Sequence, residues 1–323
     1  MKKKGYILTI CIFSVMIVVL SILVGIKLSA GGFFDVDKKS DEYIKYSEIF
    51  GLKLSEDKTY YSITRLKDST ITSVEIPDTI DNIPVKKLLG NNDSNNFTSW
   101  NNCITIRIGK NIEYIGTETD NEGVLNGGTL GDNFLSSISK VSTIIVDEGN
   151  KVYASKDGVL YNKDFTVLIR YPNNKVDNLE SFNVVILDSV KTIYHRAFYY
   201  NNQITKLILG KNTENIGNLA FTGCEKLTTI SFNENLKTIG QSAFKDCDLT
   251  SIKLPDSVES LGDLCFSYNA DLSYCYIGPN CKKFGRDIFN ETFNSFAIGT
   301  TKDNLLVLEE VVELKQYEKR AED

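Results

Sequence analysis

A phenylalanine recurs at Phe198, Phe221, Phe244, Phe266 and Phe289, at intervals of 23, 23, 22 and 23 residues. A fixed period of this length marks a stack of like units, each of which buries its apolar face only against its neighbours. It argues against a globular enzyme built around one central core. Three units set the template. Leu227, Ile230 and Phe232 lead to Leu236, Ile239-Gly240 and Ala243-Phe244, and Leu249, Ile252 and Leu254 lead to Val258, Leu261-Gly262 and Cys265-Phe266. Ile204, Leu207 and Leu209 lead to Ile216-Gly217 and Ala220-Phe221. The second and third apolar positions of each unit are two residues apart, so along a strand they share one face. The second half of each unit has irregular apolar spacing, which predicts a tight helical turn and no second strand. The glycine after Ile216, Ile239, Leu261 and Phe284 is expected at a bend in the backbone.

The same pattern extends towards the N-terminus. Taking the middle strand position as marker gives residues 74, 106, 144, 184, 207, 230, 252 and 275. The first three intervals are 32, 38 and 40 residues long, so they carry insertions, and the rest hold the short period. About eight rungs result. Stacking them side by side predicts a repeat solenoid of short parallel strands with helical or irregular turns, its interior filled by Leu, Ile, Val and a ladder of phenylalanines.

Three stretches resemble the BspA-like leucine-rich repeat (LRR) family. They are the run from Leu249 to Phe266, the segment Val146–Asn150 through Tyr153–Tyr161 to Leu168–Pro172, and Tyr60–Thr64 through Pro84-Val85. The segment that starts at Val146 is similar to an inserted hairpin of that family, and the one that starts at Tyr60 to its N-terminal entry unit. The resemblance spans roughly residues 52–296 and departs from the family at the insertions Gly90–Asn96 and Thr117–Asn133. It implies a leucine-rich-repeat stack, used for adhesion or surface interaction. The expected organisation is a cytoplasmic N-terminus at 1–5, a transmembrane anchor at 6–26 and a stalk at 27–50. A cap hairpin at 51–70, repeats at 71–298 with an inserted hairpin at 150–172, and a C-terminal capping helix and tail at 299–323 follow.

Tyr6–Ile26 is a run of apolar and uncharged residues after Lys2, Lys3 and Lys4. It is long enough to span a bilayer, and the lysines place the N-terminus in the cytoplasm. The repeats are then extracellular. Cleavage after Ala30, with Leu28 where a small residue is wanted, is the alternative and would release a secreted protein. The net charge is −6 and the chain has no basic cluster beyond those lysines, which argues against a nucleic-acid partner.

Catalytic chemistry is not expected. The chain has one histidine, His195, at a position that aligns with Asn218, Gln241 and Asp263 and reads as exposed and variable. No second histidine exists to build a triad or a His-rich metal site. Six cysteines, Cys103, Cys224, Cys247, Cys265, Cys275 and Cys281, fall on core positions and read as small buried hydrophobes. Cys224 and Cys247 stand one rung apart, where parallel side chains disfavour a disulfide. CxxC spacing is absent, and Asp147-Glu148 and Asp157-Gly158 read as turns, so no catalytic residue, cofactor or metal is assigned.

Binding is expected on an extended surface or on the inserted segments Gly90–Trp100, Thr117–Asn133 and Val152–Tyr171. Candidate contact residues are Trp100, Tyr200 and Tyr268. Trp100 aligns with Cys224, which also suits an enlarged core residue. Tyr200 and Tyr268 align with Gly223, where the repeat accepts varied residues, and aromatics are favoured at contacts. The expected partner is an extracellular protein or glycan, with the membrane engaged through the N-terminal helix.

Overall fold

The computed structural model describes residues 39–90, 100, 102–117, 138–175, 182–292, 297–300 and 318–321. The apolar run 6–26 lies outside them, and among the described residues no helix is long and apolar enough to cross a membrane. The chain divides into two compact units after Lys45. Within the segment read as a stalk, Asp41–Ile49 is an α-helix with no buried residue. Its cause is local. The Ser40 Oγ accepts the Tyr43 N–H at 2.9 Å, and Asp41 and Glu42 meet the positive end of the helix dipole.

Phe50–Leu54 pairs antiparallel with Tyr61–Leu66, with Leu54 opposite Tyr61. In the turn between them the Asp57 carboxylate accepts from Ser55 Oγ at 2.6 Å and from Thr59 Oγ1 at 2.9 Å. Tyr61–Leu66 continues parallel into Ile83–Gly90, which pairs with Tyr114–Thr117. The antiparallel strand thus occupies the edge that the repeats would otherwise leave open.

The first strands of the rungs form three parallel sheets. Ser73–Glu75, Thr105–Ile108 and Thr143–Val146 make a parallel sheet, as do Asn183–Val185, Lys206–Ile208 and Thr229–Ser231. Ser251–Lys253 and Tyr274–Ile277 continue into Ala297–Thr300 and Glu318–Ala321. The last two strands alter the expected C-terminus. Residues 318–321, read as part of a capping helix and tail, are a parallel strand, and residues 301–317 lie outside the described residues. The interruption between Ser231 and Ser251 falls on the 22-residue rung, which lacks the residue that Lys226 supplies one rung earlier.

A second strand does form in each regular rung, contrary to the sequence reading. Thr192-Ile193, Asn215-Ile216, Thr238-Ile239, Ser260-Leu261 and Lys283-Phe284 pair in parallel, in unbroken register. Two residues are too few to show a period, yet stacking gives each its ladder partners. The inserted segment joins this column. Tyr153–Lys156 and Val159–Asn162 form a hairpin, and Val167–Arg170 pairs parallel with Thr192-Ile193. Its tip is the two-residue turn Asp157 (φ 52°) and Gly158 (φ 77°), where left-handed conformations match the strand twist.

The interior is the phenylalanine ladder. Phe198, Phe221, Phe244, Phe266 and Phe289 are fully buried, and successive ring centroids lie 4.6, 5.0, 5.6 and 6.0 Å apart with near-parallel planes. Tyr171 extends the stack at 4.7 Å from Phe198. The glycine that follows the second strand is required by close approach and not by a bend. A Cβ on Gly262 would meet the Gln241 nitrogen at 2.4 Å, and among the described glycines only Gly158 and Gly223 have positive φ.

Candidate functional site

After its second strand each regular rung closes through a six-residue turn, at 195–200, 218–223, 241–246, 263–268 and 286–291. The second and sixth turn positions are left-handed: Arg196 and Tyr200, Leu219 and Gly223, Ser242 and Asp246, Leu264 and Tyr268, Asp287 and Glu291. Long-range bonds hold this conformation. The N–H groups of Leu219, Phe221 and Gly223 donate to the carbonyls of Gln241, Ala243 and Lys245, and the neighbouring turns repeat the pattern. Left-handed backbone is expensive for bulky residues and free for glycine. Tyrosine at Tyr200 (φ 53°) and Tyr268 (φ 60°) therefore costs backbone energy where Gly223 costs none. The aligned position does not accept any residue equally, as the sequence suggested.

Both tyrosines project to solvent, at 50% and 40% exposure. The Tyr200 ring lies across Gly223, where an added Cβ would meet its Cδ1 at 2.6 Å. Tyr199 holds it from the side in a T-shaped contact at 4.5 Å. Beyond Gly223 the column continues with Asp246 and Tyr268, and the Lys245 ammonium sits 4.8 Å above the Tyr268 ring. The Tyr200 hydroxyl pKa is raised, first by Tyr199, then by partial burial, with Asp246 and Glu225 adding negative charge. Sequence alignment of the turns was able to place Asp246 and Lys245 here, but their significance depends on the left-handed geometry that aims Tyr200 across a rung.

Trp100 belongs elsewhere. It is 4% exposed, so its indole is core and not a contact residue. The inserted hairpin is also largely core: Tyr153, Leu160, Tyr161 and Tyr171 are buried, and the Tyr153 hydroxyl accepts the Ile115 N–H at 3.1 Å. The insertions at 91–99 and 118–137 lie outside the described residues. The face beside the turns satisfies itself electrostatically. Lys191, Glu214, Lys237, Glu259 and Lys282 alternate in sign rung by rung, and Glu214 pairs with Lys237 at 2.9 Å.

His195 is half-buried and not exposed as expected. Burial, then the Arg196 charge, push its pKa down to about 4, and its Nε2 has no hydrogen-bond partner among the described residues. The six described cysteines are buried and free. Burial raises their thiols, Cys103 to about 11 and Cys224 and Cys281 to about 12. Cys224 and Cys247 share a column with Asn201, Asn269 and Thr292 and behave as donors there. Their Sγ atoms lie 3.2 Å from the Phe198 carbonyl and 3.3 Å from the Phe221 carbonyl, where Asn269 Nδ2 reaches Phe244 O at 2.9 Å. They are more than the small hydrophobes read from sequence. Among the described residues no group of three or more His, Cys, Asp or Glu is placed to hold a metal ion.

Stacked short strands with an exposed, preorganised turn face define a repeat interaction domain. Residues 191–307 match the model of the BspA type leucine rich repeat region in six copies. No curated protein matches. Among solved structures, the pneumococcal vaccine antigen PcpA is similar with a TM-score of 0.51 and 16% identity, covering 85% of this chain and 100% of that one. A leucine rich cell surface protein from Faecalibacterium prausnitzii gives 0.49 and 15%, covering 80% and 95%. At these identities the likeness is one of fold.

Proposed function

We propose that this chain is a membrane-tethered extracellular leucine-rich-repeat binding domain that mediates adhesion, or protein or glycan interaction, at a bacterial cell surface, without catalysis. The observation that carries the reading is the turn face. Its exposed tyrosines occupy strained left-handed positions on a rigid stack, and strain of this kind gathers at functional sites. The uncharged apolar run after three lysines supports the tether, and the shared fold of a pneumococcal vaccine antigen is consistent with surface display. The test labels intact cells carrying the full chain with a membrane-impermeant amine reagent. Modification of exposed lysines such as Lys226 and Lys253 is expected before lysis. Modification only after lysis refutes the extracellular reading.

A further inference from the structure

Tyrosine rings in this protein attract cations. Among the described residues, Tyr43, Tyr60, Tyr114, Tyr171, Tyr199 and Tyr268 each have a lysine ammonium or arginine guanidinium within 4.8–6.0 Å of the ring centre. Tyr200 is more exposed than Tyr268, and no described cation sits over it. Two cations of the neighbouring turn positions sit over other rings: Arg196 over Tyr199 and Lys245 over Tyr268. Carboxylates flank it instead. Its ring lies across Gly223, Asp246 takes the same position in the next turn of the column, and Glu225 follows Gly223 by two residues on the exposed surface. The internal Lys245–Tyr268 pair shows what this column does with a cation, and Tyr200, half exposed at the same turn position, has acidic residues near it.

We propose that Tyr200, Glu225 and Asp246 form a docking point for a basic side chain, an arginine or lysine, of a protein partner. The proposal rests on the reading of the chain as an extracellular binding domain and gives that partner its chemistry. The guanidinium or ammonium lies on the ring, where the quadrupole attracts it, and the carboxylates bind it from the edge. Tyr199 and the Gly223 backbone hold the ring in place before binding, which lowers the ordering cost.

The test uses the full chain in detergent and a fluorescent, capped tri-arginine peptide, read by anisotropy at physiological salt, with a tri-citrulline peptide as the uncharged isostere. Tyr200→Ala is expected to weaken tri-arginine binding about threefold and Glu225→Gln with Asp246→Asn about tenfold, while Tyr200→Phe binds as wild type. Glu148→Gln with Glu234→Gln removes the same charge at exposed sites off the turn face and should stay within about twofold of wild type. The proposal is overturned if that control loses as much as the site pair, if Tyr200→Ala binds as wild type, or if tri-citrulline binds equally. It is also overturned if cello-oligosaccharide quenches tyrosine fluorescence through Tyr200 while tri-arginine fails to bind. Cell-surface labelling reads the broader proposal independently, so failure of the peptide alone sinks only the docking point.

Discussion

Asn269 offers the sharpest check on how the rungs are joined. It is fully buried, its Nδ2 donates to the Phe244 and Phe266 carbonyls at 2.9 Å each, and its Oδ1 accepts the Leu249 N–H at 3.2 Å. The last bond repairs the short rung. In a full rung the equivalent asparagine serves its own chain, as Asn201 Oδ1 accepts from Gln203 and Ile204. The rung that ends at Leu249 is one residue short, and its N–H is taken up by the asparagine of the next. Asn269→Ala removes these three bonds and a longer one from Nδ2 to Ser267 O at 3.3 Å. At about 1 kcal/mol net for each, with Leu249 N–H left buried and unsatisfied, the loss is about 3 kcal/mol. For a chain of this size that corresponds to about 6–12 °C in Tm. Asn269→Cys restores only the donor to Phe244, as Cys224 and Cys247 do for their own neighbours, and should cost about 2 kcal/mol. Urea unfolding of the full chain, followed by far-UV and near-UV circular dichroism, reads both. The reasoning fails if Asn269→Ala lies within about 1 kcal/mol of wild type, or if Asn269→Cys is no better than Asn269→Ala.

Gly262→Ala should destabilise by more than about 2 kcal/mol in the same assay, because its Cβ would meet Gln241 N at 2.4 Å and backbone cannot step aside cheaply; a change below about 0.5 kcal/mol would show that the rungs have slack. His195 is the chain's one histidine, so its ring gives a single NMR titration. A midpoint of about 4 is expected in the folded protein, against 6.5 unfolded. The folded state then binds fewer protons, so this stability is present above pH 6.5 and lost as the pH falls towards 4, up to about 3 kcal/mol in all. A midpoint near 6.5 would contradict the burial of Nε2. The buried thiols should resist a thiol reagent in the native state at neutral pH and react fully in guanidinium, with Cys103, Cys224, Cys247, Cys265, Cys275 and Cys281 separated by peptide mapping.

What was legible in the sequence was whatever repeats as a side-chain type. The phenylalanine period, the first strands and the burial of the cysteines all follow from apolar positions recurring at one interval. What was hidden is fixed between rungs. The second strands are two residues long and gain their ladders only by stacking. Left-handed positions carry Arg, Leu, Ser, Leu and Asp at one site and Tyr, Gly, Asp, Tyr and Glu at the other, so no residue type announces them. The glycine column was visible, but its cause was a neighbouring backbone and not its own dihedral angle. The helix Asp41–Ile49 was missed although Ser40, Asp41 and Glu42 spell an N-terminal cap, because the segment lacks an apolar face to draw attention. Tyr200, Tyr268 and Gly223 align in the sequence, whereas the left-handed geometry that lays the Tyr200 ring across Gly223 and the Lys245 ammonium over Tyr268 does not show there.

The turn column also explains a residue that sequence alone leaves puzzling, the buried Arg170. Alternate turn N–H groups all point towards the following rung, as Arg196, Phe198 and Tyr200 do in donating to Asn218, Ala220 and Thr222. The matching carbonyls point back towards the N-terminus, so the peptide dipoles add along the stack as they do along a helix. The first turn, 195–200, therefore faces the inserted hairpin with carbonyls unmatched by any earlier turn. The hairpin exit meets them. Tyr171 N–H donates to Ala197 O at 2.9 Å and Asn173 Nδ2 to Tyr199 O at 3.2 Å, while Arg170 Nη1 adds a second donor, at 2.7 Å, to Arg196 O, which already accepts the Tyr199 N–H within the turn. Arg170 Nη2 holds Asn173 Oδ1 at 2.9 Å, which fixes the asparagine in its donating pose. A cation at 1% exposure is costly unless it is hydrogen-bonded, and here both Nη atoms donate, to Arg196 O and to Asn173 Oδ1. The same cap anchors the turn that bears Tyr199 and Tyr200, so the segment that starts the regular stack also sets the rigidity of its exposed tyrosines.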